Sequence, residues 1–398
     1  MNELRPRPDC PPGIWPQLSS EIVVSILLLV VIIAGVYGPV VTHEFSNWDD
    51  PKHMSAIWKP SWERAWKIVT DFDLRYTGVT YYSPMHFLSL MADQVLVGSE
   101  SEAQAWIAKL MNVAIHVLNT ILVFTLFTMM GLGRRAALIG ALVFAVHPMQ
   151  VGTVAWIAER KNLLAASFYL AGTTIFLKYL WSGRAMFALL LVLLFVGGLL
   201  SKPSAVTLPV GLLAWVILVP NQRTGGRPFY VLMASLFALA VLWGIYTVRT
   251  EVSYEGMLPL PLYRPLLAAA AIWFYLSKFV YPHELVVVYP RWDVEGHALG
   301  FLLLFVALVV VVGLLIYWRK RTDTLVLYGL SVFVINVLPV SGLIAFGHMG
   351  HSFVADHFFY LPLIGLSLVV ARAVEIIDQR LRDRALLRNV ALVSMYGL

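Results

Sequence analysis

Residues 21–42, EIVVSILLLVVIIAGVYGPVVT, decide the class of fold. A run of about 20 apolar residues is what an α-helix needs to cross the hydrocarbon core of a bilayer. The run lacks a small-residue cleavage site, so we expect an uncleaved anchor rather than a signal peptide. In the whole chain, 59% of the 398 residues are hydrophobic and 13% are charged, about half the charged share of soluble domains. The sequence therefore predicts an all-α polytopic membrane protein.

Further apolar runs predict a bundle of about 10–12 transmembrane helices. The short loops between them carry arginine and lysine in alternation, which by the positive-inside rule places those loops and the N-terminus in the cytoplasm. Residues 262–281 are predicted to form a re-entrant or interfacial helix, because a full crossing there would put Arg319, Lys320 and Arg321 outside. The other spans are expected at about residues 103–130, 136–147, 163–180, 185–200, 206–219, 229–248, 298–318, 325–344 and 359–374.

Two parts make up the predicted domain organisation. Residues 1–20 are polar and proline-rich and are expected to form a cytoplasmic segment, and residues 21–398 form the transmembrane domain. Within that domain, residues 43–102 form a long first outer loop, in which residues 61–72 and 85–97 are predicted to be interfacial helices. The apolar run at residues 386–398 stops abruptly, which favours a truncated form of a longer chain.

Charge and cysteine content exclude some classes of protein. The single cysteine, Cys10, cannot form an intramolecular disulfide. The formal charge of +6 lies mostly in loops, which indicates membrane orientation and contact with anionic lipid. A nucleic-acid-binding protein would show a basic soluble face interleaved with aromatic residues, and the sequence has none.

An acid pair follows the first span, in the segment FSNWDDPKHM at residues 45–54. Asp49 and Asp50 could act as a general base that accepts the proton of a hydroxyl acceptor. Two close carboxylates can raise the pKa of one of them, which would tune such a base. The alternative is that Asp50 caps a helix that begins at Pro51.

Basic residues at the mouths of spans are the second group of candidates. Arg160 and Lys161 can neutralise a phosphate carried by a lipid, although such residues also commonly extend to lipid headgroups. Lys202 joins two apolar runs through a short turn, and an ionisable group in that position is a functional suspect.

The third group lies near the C-terminal end, in GHMGHSFVADHFFYLP at residues 347–362. His348, His351 and Asp356 could ligate a divalent metal, but their spacing matches no standard metal motif, so no metal is predicted. Asp356 and Tyr360 are four residues apart and would share a helical face. The aromatic segment at residues 281–293 could line a sugar-binding face or form part of an interfacial aromatic belt.

Several short motifs, in this order, resemble the membrane half of the O-mannosyltransferases that carry tetratricopeptide repeats, and more closely their bacterial relatives. The resemblance runs from about residue 45 to residue 370. Its pieces are WDDP (48–51), YSP (82–84), LMNVAIH (110–116), AVHP (145–148), VAWIAERKNLL (154–164), SKP (201–203) with VTLP (206–209), YP at 281 and at 289, PVSG (339–342), and ADH (355–357) with YLP (360–362).

This resemblance implies membership of the GT-C superfamily of integral membrane glycosyltransferases. The sugar donor would be linked to a polyprenyl phosphate, and the active site would face outwards, with Asp49 as the catalytic base and Asp50 as its support. The implied reaction is an inverting transfer of mannose or another hexose to a hydroxyl, such as Ser or Thr of a secreted or membrane protein. Residues assigned to the donor phosphate are Arg160, Lys161, Lys202, Arg264 and His357, and those assigned to substrate binding are His53, His147, Glu159, Tyr289, Asp356 and Tyr360.

The resemblance also implies a setting in the membrane. The protein would lie in a bacterial inner membrane, where polyprenyl phosphate is its lipid partner and other membrane subunits are potential partners. A divalent cation is compatible with the chemistry but is not predicted.

Two departures from the resemblance keep other functions open. Relatives commonly have Glu five residues after the His-Pro histidine, where this chain has Gly152. Relatives also often have Asp-Arg where this chain has Asp356-His357, and the tetratricopeptide region does not follow the membrane domain. A non-catalytic scaffold or assembly subunit is therefore an alternative. A polyprenyl-lipid carrier is a third interpretation, but a carrier needs two-sided access to a site at mid-membrane.

Overall fold

The computed structural model describes residues 20–79, 81–98, 103–220, 226–250 and 259–381. Residues 1–19 of the predicted cytoplasmic segment, and the apolar run at residues 386–398, lie outside these ranges. Within the described ranges the chain forms fifteen α-helices and no β-strand, as the predicted all-α class requires. The helices are α1 (Ser20–Tyr37), α2 (Asp50–Ala56), α3 (Trp62–Val69), α4 (Pro84–Val97), α5 (Gln104–Met129), α6 (Arg134–Val146), α7 (Val151–Ala155), α8 (Arg160–Ser182), α9 (Ala185–Leu199), α10 (Leu208–Leu218), α11 (Arg227–Thr250), α12 (Arg264–Val280), α13 (Ala298–Trp318), α14 (Thr324–Val337) and α15 (Tyr360–Arg380).

Six helical segments of the described chain are long and apolar enough to cross a membrane, and they make this an integral multi-pass membrane protein. A seventh crossing is added if α6 and the helical segment Pro148–Ala155, which meet at an angle of 52°, form one broken span. Three shorter apolar helical segments, Ala185–Leu199, Pro203–Leu218 and Thr324–Val340, occupy predicted spans. The six long segments are Ser20–Thr42, Gln104–Met129, Ile157–Ser182, Arg227–Thr250, Ala298–Trp318 and Asp356–Arg380.

The core of the bundle is formed mainly by α5, α6, α8, α14 and α15. Small residues allow close contact between these helices. In lipid, the hydrophobic effect does not drive helices together, so van der Waals packing between them stabilises the bundle. A Cβ atom on Gly365 would lie 2.3 Å from the backbone oxygen of Gly329, so α14 and α15 can cross at this distance only with glycine. Packing of this kind places the last span against the middle of the bundle.

A buried hydrogen-bond network joins the ends of α1 and α6 and the start of α15 to the middle of α5. The Nε2 atom of His116 lies 3.0 Å from the carbonyl oxygen of Ala145, which can only accept, so His116 donates through Nε2. Its Nδ1 atom lies 2.8 Å from the hydroxyl of Tyr360, and the amide of Asn119 donates to the same hydroxyl over 3.1 Å. Tyr37 donates to the carbonyl of Ala145 over 3.1 Å. The network therefore links α1, α5, α6 and α15 without leaving these groups unpaired.

Ion pairs gather at one end of the bundle, which we call the charged end. They bring the starts of α1, α6 and α14 together with the C-terminal half of α15, so the basic residues at the start of α6 and in α15 share one end of the bundle. The pairs are Arg134–Glu21 at 2.7 Å, Arg372–Asp323 at 2.8 Å and Arg135–Asp378 at 3.4 Å.

Helix α12 lies with both ends at the opposite end of the bundle. Near its start, Leu267 packs against Gly342, beyond the end of α14. At its C-terminal end, the carbonyl of Phe279 accepts a hydrogen bond of 3.2 Å from Nε2 of His147, just beyond the end of α6. These contacts agree with a re-entrant or interfacial helix rather than a full crossing at residues 262–281.

The first outer loop folds as two short helices and a longer one over the end opposite the charged end. The hydroxyl of Ser61 caps α3 by accepting the N–H of Arg64 over 3.2 Å. Trp62 and Trp66 of α3 are 85% and 61% exposed, whereas Ile68 on its other face is buried. An amphipathic helix therefore forms within residues 61–72 as predicted, and its interfacial position stays a prediction.

Candidate active site

A cavity of about 310 Å³ lies at the end of the bundle opposite the charged end. Its walls come from parts of the chain that are far apart in sequence: the first outer loop, the turn before α8, the turn before α10, the end of α11 and the segment between α14 and α15. The polar or aromatic lining residues are Trp48, Asp49, Tyr81, Trp156, Glu159, Lys161, Lys202, Ser204, Thr247, Phe346, His348, His351, His357 and Phe358.

Asp49 reaches the cavity from the residue directly before α2. It occupies the N-cap position, but its side chain makes no capping hydrogen bond. Pro51 lies in the first turn of α2 and has no N–H to satisfy, which reduces the demand for a cap. The Asp49 carboxylate is therefore not used by the helix and is partly exposed at the cavity wall.

Asp50 has a different role from Asp49. It is 1% exposed, and its carboxylate accepts the backbone N–H groups of Ser46, over 2.8 Å, and of Ala158, over 3.2 Å. Burial raises the pKa of Asp50, and these two hydrogen bonds oppose the rise. The capping role considered for Asp50 is wrong, because α2 begins at Asp50 itself and the carboxylate points away to Ala158. Asp50 instead ties the loop that carries Asp49 to the turn that carries Glu159.

Glu159, Lys161, Asn162 and Lys202 form a compact group that we call the cavity cluster. Oε1 of Glu159 lies 3.1 Å from Nζ of Lys161, and Oε2 lies 4.0 Å from Nζ of Lys202. Asn162 donates its amide to Oε2 of Glu159 and accepts from Nζ of Lys202 over 2.5 Å. The cluster therefore holds two ammonium groups and one carboxylate in fixed positions at the cavity wall.

Three histidines complete the polar side of the cavity. Nε2 of His357 lies 3.9 Å from Oε1 of Glu159. Burial lowers the pKa of His348 to about 4, so this imidazole is neutral at pH 7. Among the residues that the structure describes, no group of three His, Cys, Asp or Glu side chains is arranged to hold a metal ion. The metal set considered for His348, His351 and Asp356 is not formed, because Asp356 accepts a hydrogen bond of 2.7 Å from Tyr289 instead.

Arg160 does not line the cavity, although it precedes Lys161 directly. Its guanidinium is 1% exposed and pairs with Asp93 of α4 at 2.5 Å. It also donates to the side-chain oxygen of Asn112 over 2.8 Å and to the carbonyl of Ala108 over 2.6 Å. We call Arg160, Asp93 and Asn112 the inner cluster. With these partners, Arg160 fixes the start of α8 against α4 and α5 and is not placed to hold a donor phosphate.

Other predicted site residues also lie away from the cavity lining. Tyr360 belongs to the hydrogen-bond network that contains His116, Asn119 and Tyr37. His53 lies 2.8 Å from His86 in a buried pair, and His147 contacts the carbonyl of Phe279. Tyr289 and Asp356 contact one another behind the cavity. Arg264 stands at the start of α12 and is not a lining residue either.

The structure brings forward residues that sequence reasoning did not assign to the site. Trp48, Tyr81 and Trp156 place aromatic rings beside the charged groups, and Asn162 spaces Glu159 from Lys202. The three-residue separation of Glu159 and Asn162 at the start of a helix was the signal for their contact. Gly152, which stands where the resemblance to O-mannosyltransferases leads us to expect Glu, is exposed on α7 and lies outside the cavity lining.

An apolar wall faces the polar side of the cavity. It is formed by Val206, Gly244, Val248, Val287, Val288, Pro339, Val340 and Ile344. Helix α11 continues this wall to the surface of the bundle, where Val241, Leu242 and Ile245 are exposed. The cavity thus joins a charged wall to a surface suited to hydrocarbon.

No known protein-family model and no curated protein sequence matches this chain. Two solved structures from Archaeoglobus fulgidus have a similar fold. The archaeal oligosaccharyltransferase AglB in complex with an inhibitory peptide and a dolichol-phosphate matches with a TM-score of 0.52 and 13% identity, over 93% of this chain and 52% of that one. An oligosaccharyltransferase tethered to an acceptor peptide that contains the NVT sequon matches with a TM-score of 0.51 and 13% identity, over 92% of this chain and 50% of that one.

This chain spans about half the length of those oligosaccharyltransferases, and at this level of identity the likeness concerns the fold. The closer resemblance to O-mannosyltransferases with tetratricopeptide repeats stays a prediction. The chain therefore shares the fold of these two archaeal oligosaccharyltransferases, and the GT-C superfamily implied by the sequence resemblance has the same standing as that resemblance.

Proposed function

We propose that this protein is a membrane glycosyltransferase that moves a hexose from a polyprenyl-phosphate donor to a hydroxyl acceptor at the extracytoplasmic face. One observation carries the proposal: Asp49, Lys161 and Lys202 line the same cavity, although they come from three distant parts of the chain. A base and a phosphate-binding pair are the two parts that this chemistry needs.

The donor phosphate would lie against Lys161 and Lys202. Both side chains are largely buried, with 12% and 9% exposure, so their attraction for an anion is less screened than at an open surface. As the bond between the anomeric carbon and the phosphate oxygen breaks, the leaving polyprenyl phosphate gains one negative charge. Ammonium groups already in place stabilise that developing charge without reorganisation.

Asp49 would act as the general base. It accepts the proton of the acceptor hydroxyl while the hydroxyl oxygen forms its bond to the anomeric carbon, on the face opposite the leaving phosphate. The anomeric configuration is therefore inverted. Proton uptake removes one negative charge from Asp49 as the phosphate gains one, so the total charge of the site does not change during the reaction. Asp50 positions this base through its hydrogen bonds to Ser46 and Ala158.

The polyprenyl chain would lie along the apolar wall and leave the cavity beside α11. Val248 belongs to both the cavity lining and the exposed face of that helix. We take the acceptor to be Ser or Thr of a secreted or membrane protein, and the membrane to be a bacterial inner membrane.

The test is transfer of labelled hexose from a polyprenyl-phosphate donor by the purified protein. Wild-type protein is expected to transfer the sugar, and Asp49→Asn is expected to lose roughly 10²–10⁴-fold in rate while it still binds the donor. Asp73→Asn, an exposed carboxylate of the same outer loop, is the matched control and should keep full activity. A folded wild-type protein that binds the donor and transfers nothing to any hydroxyl acceptor would point to a scaffold instead.

A further inference from the structure

Glu159 is an unexpected group in a pocket for an anion. Its carboxylate lies at the wall that would receive the donor phosphate, within 3.1 Å of Lys161 and 4.0 Å of Lys202. Resting on the proposed function, we propose that Glu159 selects the donor by charge and admits a sugar lipid with a single phosphate in preference to one with a diphosphate.

The carboxylate of Glu159 is fixed in place. Its side chain is 3% exposed, and Asn162 donates a hydrogen bond to it while accepting one from Lys202. The preceding residue is held as well, because the N–H of Ala158 donates to Asp50. Glu159 therefore cannot swing into solvent to make room for a second phosphate, and it stays between the two ammonium groups.

The charges at this wall favour an anion with a single charge. Two lysines and one carboxylate leave the cavity cluster with one excess positive charge, and the neighbouring His348 is neutral. A polyprenyl phosphosugar is a phosphodiester with one negative charge, so it would neutralise the cluster. A polyprenyl diphosphosugar carries two and would leave one buried negative charge without a partner, which is costly in a low-dielectric site.

Asp49 adds to the same preference. It is the remaining formally charged side chain among the described residues of the lining, and it is negative. A second phosphate would therefore meet one more carboxylate and no further cation from the described part of the chain. Like charges brought together in a binding site cost several kcal/mol, whereas a matched phosphodiester avoids that cost.

The experiment is a competition between two synthetic lipids with the same polyprenyl chain and the same hexose, one joined by a phosphate and one by a diphosphate. Purified protein in detergent is mixed with equal amounts of both, and bound lipid is counted by native mass spectrometry. Wild-type protein is expected to favour the monophosphate by roughly tenfold or more. Glu159→Gln keeps the shape of the side chain and removes its charge, so the ratio should fall to within about threefold of one or reverse.

Two further variants separate charge from structure. Glu159→Asp keeps the negative charge and should keep the preference for the monophosphate even if total binding is weaker. Glu63→Gln makes the same chemical change at an exposed site of α3, whose side chain is 75% exposed, and should leave the ratio unchanged.

The outcomes distinguish this inference from the proposed function. An unchanged ratio in Glu159→Gln, or a wild-type preference for the diphosphate lipid, would overturn charge selection and leave the glycosyltransferase proposal standing. If wild-type protein bound neither lipid, the proposed function would fail and this inference would fail with it.

Discussion

Arg160 and Lys161 are neighbours in sequence, yet they belong to different regions of the molecule. Arg160 is enclosed in the inner cluster, where Asp93 and Asn112 use its donors. Lys161 lies in the cavity cluster, where its partner is Glu159 at the edge of open space. Two basic residues at the start of one span therefore have different surroundings: Arg160 is enclosed between helices, and Lys161 faces the cavity.

The rotation of α8 causes the difference. Consecutive residues of an α-helix point about 100° apart, so the first turn of α8 directs one side chain towards α4 and α5 and the next towards the cavity. A buried arginine with planar geometry suits several fixed acceptors, whereas lysine offers a mobile point charge. The comparison indicates that the inner cluster stabilises the fold, whereas the cavity cluster lies where the proposed donor phosphate would bind.

The largest expected effect tests the inner cluster. Asp93→Asn would leave the guanidinium of Arg160 buried with an uncompensated charge, and we expect a loss of about 3–5 kcal/mol in the free energy of unfolding. Thermal unfolding of the purified protein in detergent measures this loss. Asp73→Asn at the surface should change stability by less than about 0.5 kcal/mol. If both variants unfolded at the same temperature as wild type, Arg160 would not have the structural role assigned to it.

The next effect tests the cavity cluster. Lys161→Gln and Lys202→Gln should each weaken binding of a polyprenyl phosphosugar by roughly 10–100-fold, because each removes a charge-assisted contact worth about 1.5–3 kcal/mol. Their loss of stability should be smaller than that of Asp93→Asn. Lys67→Gln, which alters an exposed lysine of α3, is the control. Donor affinity that survives in both cavity variants would place the phosphate elsewhere.

A smaller effect comes from the His53–His86 pair, which lies within the electrostatic reach of both clusters. Burial lowers the pKa of His53 to about 3 and that of His86 well below its usual value. The unfolded chain therefore takes up protons near pH 6.5, and the folded chain does so only at much lower pH. The contribution of these two histidines to the free energy of unfolding is fully present above about pH 6.5. It is lost progressively as the pH falls towards about 3.

Between about pH 7 and pH 5.5, this uptake should cost roughly 1 kcal/mol of unfolding free energy for each histidine. Chemical denaturation at both pH values measures how steeply the free energy of unfolding falls with pH. His53→Gln should flatten it, and the exposed His283→Gln should not. A slope that is the same in wild type and His53→Gln would mean that other groups carry the pH dependence.

The smallest effect concerns Gly152, where the resemblance to O-mannosyltransferases leads us to expect Glu. Gly152 lies outside the cavity lining, and a Cβ atom added there would meet no other atom within 4 Å. Gly152→Glu should therefore fold normally, change stability by about 0.5–1 kcal/mol at most, and leave sugar transfer within about twofold of wild type. A large gain in transfer would show that position 152 takes part in the chemistry.

The sequence predicts the class of fold well because the lengths and charges of the apolar runs follow directly from the thickness of the bilayer. The positive-inside rule also predicts that residues 262–281 do not cross the membrane, and the contacts at both ends of α12 agree with that prediction. Asp49, Lys161 and Lys202 reach the cavity for a related reason: each lies next to or near the end of an apolar run, at the same end of the bundle.

The inner cluster could not be predicted in the same way. Whether Arg160 or Lys161 faces the cavity depends on the rotation of α8, which is fixed by Asp93, a residue of α4 some distance away in sequence. Tyr360 shows the same limit. The family resemblance assigned Tyr360 to substrate binding, but its hydroxyl contacts His116 on α5. Long-range partners of this kind leave no periodic signal in a single sequence.

The most direct test of the central claim is an experimental structure of the protein with polyprenyl phosphate bound. We predict that the phosphate lies in the cavity with its oxygens within about 4 Å of the ammonium groups of Lys161 and Lys202, while Arg160 keeps its contact with Asp93. A phosphate bound outside the cavity, or one held by Arg160 with the Asp93 pair broken, would contradict this account.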